Sequence, residues 1–165
     1  MKYPYLLLVL LGGLLTSCSS GRDQLVFSQV PNYQPGSAQQ LLFLNFTITQ
    51  PAGVTSAEQV TLTNAIAGQG TMKNLSTPVH NQNYLRVLYH YDDQRAPREE
   101  TYEHPLYRSV EVPSEDGTLS RRELSSSEGM LNLRLAYDSH LVRLELFSHT
   151  PERGTRKIHT LRIKP

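Results

Sequence analysis

The chain has 165 residues, with 16 Lys and Arg against 15 Asp and Glu, a single cysteine and no tryptophan. So balanced a charge lacks the basic excess that a nucleic-acid partner would want, and a lone cysteine excludes an internal disulfide. The length suits one domain with a real hydrophobic core.

Met1 and Lys2 precede an apolar stretch from Tyr5 to Leu15, followed by Thr16, Ser17 and Cys18. A positive start, a short apolar run and small residues at a cleavage point make a secretory signal peptide. The run is too short to cross a bilayer as a helix, which takes about 20 apolar residues. Leu15-Thr16-Ser17-Cys18 resembles a lipobox, the cleavage and lipidation signal of bacterial lipoproteins. The resemblance covers residues 1–19 and speaks to localisation alone. It implies that residues 1–17 are removed, that the Cys18 sulfur carries diacylglycerol, and that an acyl chain such as palmitate joins its amine. A two- or three-chain lipid holds a protein stably on a membrane. Ser19 stands where enterobacterial lipoproteins kept at the inner membrane carry aspartate, which favours the outer membrane. Residues 18–24 then form the lipidated cysteine and a small, polar tether, and residues 25–165 form the domain. Cleavage leaves 165 − 17 = 148 residues, with 16 − 1 = 15 basic against 15 acidic side chains and no free thiol. A zinc site that includes cysteine is thereby excluded.

Beyond the tether the pattern is strand-like. Gln24 to Val30 is a short apolar run closed by Pro31, and Pro35-Gly36 marks a turn. Gln40 to Thr49 is apolar on both faces at its start, which predicts a strand central in its sheet. Gln59 to Ala67 alternates in part, and Gly68 and Gly70 suggest a bulge or bend before a short strand at Thr71 to Asn74. After a turn at residues 81–83, Tyr84 to Tyr91 alternates, with Leu85, Val87, Tyr89 and Tyr91 on one face. Residues 92–105 are charged, bounded by proline and without apolar periodicity, and read as a long exposed loop. Leu106 to Val112 is a strand. Asp116-Gly117 signals a hairpin, and Thr118 to Ser125 returns as a polar edge strand. Its Arg121, Arg122 and Glu123 are the charges that blunt a free edge. Residues 125–129 turn the chain. Leu131 to Tyr137, Val142 to Phe147 and Lys157 to Lys164 then read as a three-stranded antiparallel meander, with a bulge near His159-Thr160. Counted together, about eight strands predict an all-β fold, a two-sheet antiparallel sandwich of the immunoglobulin-like or transthyretin-like kind.

Chemistry is sparsely signalled. Of the six histidines, His90 lies beside Asp92 and Asp93 at a strand end, the one local group offering imidazole and carboxylate to a metal ion. The alternative is a solvated junction between strand and loop. Glu99, Glu100, Glu103 and His104 lie among Arg95 and Arg98 and read as a solvated charge cluster rather than an acid–base pair. No Gly-x-Ser-x-Gly, Ser-x-x-Lys or phosphate-binding loop occurs, so the expectation is a non-enzymatic chain without a cofactor. Arg134, Arg143, Glu145 and Arg162 sit at outward positions of the expected meander and form cross-strand charge pairs or a docking face. The reading is therefore a lipid-anchored cell-envelope protein that binds an envelope protein partner or serves as an accessory subunit of a membrane assembly. The partner would meet Arg95, Arg98, Glu99, Glu100 and Tyr102, or an exposed sheet edge. The alternative is a small-ligand or metal-binding sandwich.

Overall fold

A computed structural model describes residues 23–37, 39–51, 57–73, 81–113 and 117–164. Cys18 and the rest of the lipobox lie outside the described residues, as do the hairpin tip at 114–116 and Asn74. Ten strands are described: β1 (Gln24–Val26), β2 (Gln40–Thr49), β3 (Gln59–Gln69), β4 (Tyr84–Tyr91), β5 (Arg98–Glu103), β6 (Tyr107–Pro113), β7 (Leu119–Ser125), β8 (Glu128–Ala136), β9 (Leu141–Thr150) and β10 (Gly154–Lys164). One five-stranded sheet runs β1-β10-β9-β4-β5, a three-stranded sheet runs β3-β2-β8, and β6-β7 form a separate ribbon. Every pairing is antiparallel except β1 with β10.

The two main sheets face each other across one core, as expected of a sandwich. Leu42, Leu44, Phe46 and Ile48 of β2 and Leu131, Leu133 and Leu135 of β8 meet Leu85, Val87, Leu144, Leu146 and Leu161 from the larger sheet. Period-2 alternation aims each of these side chains inward, and each fully buried one contributes about 1.5–3 kcal/mol. β2 is the middle strand of its sheet, and its residues 40–42 are buried in succession, matching its apolar opening. The chain enters through β1 and a 3-10 turn at Phe27–Gln29, which sets Phe27 and Val30 in the core. The register of β10 slips between Lys157 and His159, so a bulge falls next to the predicted position and puts Leu161 and Ile163 back on the buried face.

Three expectations are corrected. Residues 92–105 are not one exposed loop, because β5 occupies 98–103 and pairs with β4 from Tyr84↔Glu103 to Tyr89↔Arg98. Apolar alternation is missing there because the inward positions are polar and satisfy one another. Tyr89 Oη donates to Glu100 Oε2 at 2.8 Å, Tyr102 Oη donates to the same oxygen at 2.5 Å, and the Arg98 guanidinium lies over the Tyr89 ring. Burial first, then Tyr102 and Glu100 for Tyr89 and Glu100 for Tyr102, push both phenols well up from their ordinary value, although Arg98 and the Tyr89 hydroxyl act the other way on Tyr102. The C-terminal meander is also corrected: β9 and β10 pair, but β8 crosses to the other sheet and pairs with β2. Alternation specifies which face of a strand is buried, not which strand lies beside it. Residues 71–73 carry no strand.

The turn between β5 and β6 packs on the start of β8. A Cβ added at Gly129 would lie 2.7 Å from both the Cβ and the carbonyl oxygen of Pro105. Gly129→Ala should therefore force the 104–106 turn off β8 and cost about 1–3 kcal/mol. Urea unfolding checks this, and an unchanged midpoint would show that Pro105 yields freely.

Candidate functional site

The sequence-derived candidates are dispersed. His90 Nδ1 accepts from Arg143 Nη2 at 3.2 Å, which leaves its proton on Nε2, 3.0 Å from Glu145 Oε2. Asp92 instead meets His140 Nδ1 at 2.8 Å, and Asp93 meets Arg95 Nε at 2.6 Å. The three side chains thus have three different partners, and among the described residues no group of three His, Cys, Asp or Glu is disposed to hold a metal ion. Arg95 also bridges to Asp138 at 2.9 Å and covers the Tyr91 ring. Arg98, Glu100 and Tyr102 share the inward face of β5, whereas Glu99 points outward towards Arg86 at 3.8 Å. Arg143 and Arg162 are cross-strand neighbours on the larger sheet, while Arg134 is on β8 of the smaller one.

A second group, missed in the sequence, is buried where the sheets meet the ribbon. Glu58 directly precedes β3, His104 follows β5, Tyr107 opens β6, Ser148 lies on β9 and Arg153 lies in the β9–β10 turn. The Glu58 side chain is 1 % exposed and that of His104 0 %. The backbone N–H of Leu106 donates to His104 Nδ1 at 3.2 Å. Nδ1 therefore carries no proton, and Nε2–H donates to Ser148 Oγ at 3.0 Å. Ser148 Oγ in turn donates to Glu58 Oε1 at 3.1 Å, and Arg153 Nη2 reaches the same oxygen at 2.7 Å. Arg153 Nη2 also donates to Tyr107 Oη at 2.8 Å, and Tyr107 Oη donates to Gln50 Oε1.

Serine, histidine and glutamate within reach of one another are the inventory of a hydrolytic triad, but the protons here run the other way. A nucleophilic serine gives its proton to the imidazole, and the imidazole is steadied by a carboxylate on its far nitrogen. Here the imidazole donates to the serine and the serine to the carboxylate. The far nitrogen is occupied by backbone. This arrangement pairs the buried polar groups of the cluster, Glu58 Oε2 excepted, and ties distant chain segments together. Burial pushes the Glu58 carboxyl upward, but His104, whose Nε2 lies 3.7 Å from Glu58 Oε2, the hydrogen bond from Ser148 and the charge of Arg153 outweigh it, so the net shift is downward.

The readable signal was parity. Ser148 and Thr150 continue the inward register of Leu144 and Leu146, and Glu58 shares the register of Val60 and Leu62. Polar residues at core-facing positions announce a buried network. His104 gave no such sign, because Pro105 breaks the register between β5 and β6.

Tyr107 leads outward from this network. Its ring borders a groove of about 430 Å³ between the ribbon and the β9–β10 turn, walled by Leu124, Pro151, Gln82 and Asn83 and edged by Glu123 and Glu152. That volume falls within the range of small-ligand sites, roughly 300–1,000 Å³. Comparison with family models, curated proteins and solved structures finds no match for this chain.

The Glu58 shift sets a pH dependence. The folded carboxyl holds its charge to lower pH than the ordinary 4.5, so the unfolded chain takes up this proton first as pH falls. Its stabilising contribution is intact above about pH 4.5 and is lost as pH drops through the lower, folded-state value. Glu58→Gln should cost about 2 kcal/mol at pH 7 and flatten the loss of stability below pH 4.5. Denaturant titrations at pH 7, 4.5 and 3.5 check this. A variant with the same acid slope as wild type would show that Glu58 is not its source.

Proposed function

We propose that this protein is a lipid-anchored component of the cell envelope, held through Cys18, that binds a protein partner without catalysing a reaction. The lipobox and the polar residues after it support the anchor. The observation that carries the binding role is the β6–β7 ribbon. Among the described residues it is paired only with itself, all seven positions of β7 are exposed, and Leu119 and Leu124 are 66 % and 45 % exposed. A lone two-stranded ribbon is marginally stable in water, so a third element against it adds stability to both. The charges on Arg121, Arg122 and Glu123 discourage indiscriminate strand pairing and restrict the partner to one with matching charges.

The reversed proton order around Ser148 and the burial of His104 support the non-enzymatic reading. A second reading, a small-ligand binder, is favoured by the groove beside Tyr107.

Photo-crosslinking in intact envelopes tests the first reading. A photoreactive residue at Leu119 should give one discrete protein adduct, and one at the exposed Ala136 of β8 should give none. Leu124→Ser should cut the Leu119 adduct several-fold. Equal background labelling from both positions would overturn the ribbon as the binding element. Cys18→Ser should release the chain from the membrane fraction, and unchanged fractionation would overturn the anchor.

A further inference from the structure

The outward face of the five-stranded sheet is cationic where the chain enters the fold. Gln24 and Val26 of β1 pair with Arg162 and Lys164 of β10, and Arg162 lies opposite Arg143 of β9. Arg162 and Lys164 are exposed and, among the described residues, their side chains engage no hydrogen bond or ion pair. Farther along the same face, Glu145 is met by His90 at 3.0 Å, Lys157 at 3.5 Å and Arg143 at 3.7 Å. The β9–β10 strip thus sets Arg143, Lys157, Arg162 and Lys164 against one carboxylate. Asp23 adds one exposed charge beside His159 at 3.9 Å. Asp92, Asp93 and Asp138, at the same end of the sandwich, are already engaged by His140 and Arg95.

The short connection to Cys18 gives this strip its occupant. Four residues separate Cys18 from Asp23, a run of five Cα-to-Cα steps. Fully extended they span at most about 17 Å. A lipid on Cys18 therefore holds the bilayer surface close to the strip, where anionic headgroups attract basic side chains within about a Debye length. We infer that Arg143, Arg162 and Lys164 dock the domain on the phosphates of anionic lipids, so that the β1–β10–β9 side of the larger sheet's outward face meets the headgroups and β5, which carries the outward Glu99, lies at the edge away from them. This rests on the lipid-anchor reading. Each cation close to an anionic surface strengthens such binding about fivefold.

The full chain, purified with its lipid, is mixed with vesicles of phosphatidylcholine alone or with 30 % phosphatidylglycerol. A dye on Thr160→Cys, which faces outward between Glu145 and Arg162, reports quenching by headgroup nitroxides; one on Leu119→Cys reports the ribbon. The anchor is read by flotation with phosphatidylcholine vesicles, and docking by quenching. Docking predicts strong quenching at position 160 with phosphatidylglycerol, little at 119, and loss of the signal in 0.5 M salt or in R143Q/R162Q/K164Q. Equal quenching in both vesicle types, or an unchanged signal in the triple variant, would overturn the docking face. Flotation with phosphatidylglycerol vesicles only would overturn the anchor while docking stands, and flotation with neither would overturn both.

Discussion

The arrangement turns on one buried carboxylate. Glu58 comes from the short segment ahead of β3, yet the groups that stabilise its charge belong to the other sheet: Ser148 on β9 and Arg153 in the β9–β10 turn. A carboxylate stripped of water is costly unless paired and hydrogen-bonded, so the sheets cannot slide past each other without exposing that cost. His104 extends the constraint to the turn that leads into β6, and Tyr107 extends it to the ribbon itself. Apolar burial holds the sandwich together, while this network determines how the sheets and ribbon meet. Oil-like surfaces alone would allow several nearly equal offsets.

Much of the architecture is legible in the sequence because alternation is a direct imprint of a half-buried strand. β2, β4 and the bulge in β10 follow from where Leu, Val, Ile and Tyr recur, and the β6–β7 hairpin from its Asp116-Gly117 signal. β5 was illegible for the complementary reason. Its inward residues, Arg98, Glu100 and Tyr102, are compatible with burial only through a phenol and a guanidinium supplied by their own and the neighbouring strand, and that closure exists only in three dimensions. β8 shows a different limit. Its leucines mark an inward face, but short turns make sequential pairing with β9 the natural expectation. The chain instead crosses the sandwich after Tyr137, whose N–H is held by the Gln40 carbonyl at 2.7 Å.

The candidate sites divide along the same line. The anchor proposed at Cys18 rests on linear sequence alone, because a cleavage signal of that kind is read along the chain rather than across the fold. The Glu58 network is not legible there, since its members are separated by as many as 95 residues and each alone is an unremarkable polar side chain. His90, Asp92 and Asp93 are close in sequence but diverge in space, because the strand ends between them and each finds an opposite charge nearby.

β1 has a mechanical meaning. It is joined to β10 through three register pairs, whereas β2 and β3 share ten. With the chain held at Cys18 as proposed, drag on the domain would be transmitted through this short parallel strand first. Phe27 and Val30, set in the core just behind it, are the second point of resistance. If both let go, residues 23–39 join the tether and add up to about 55 Å of reach, while β2 to β10 keep their ladders. The fold thus has its weakest seam nearest the proposed anchor. Force applied there lengthens the leash before it opens the sandwich.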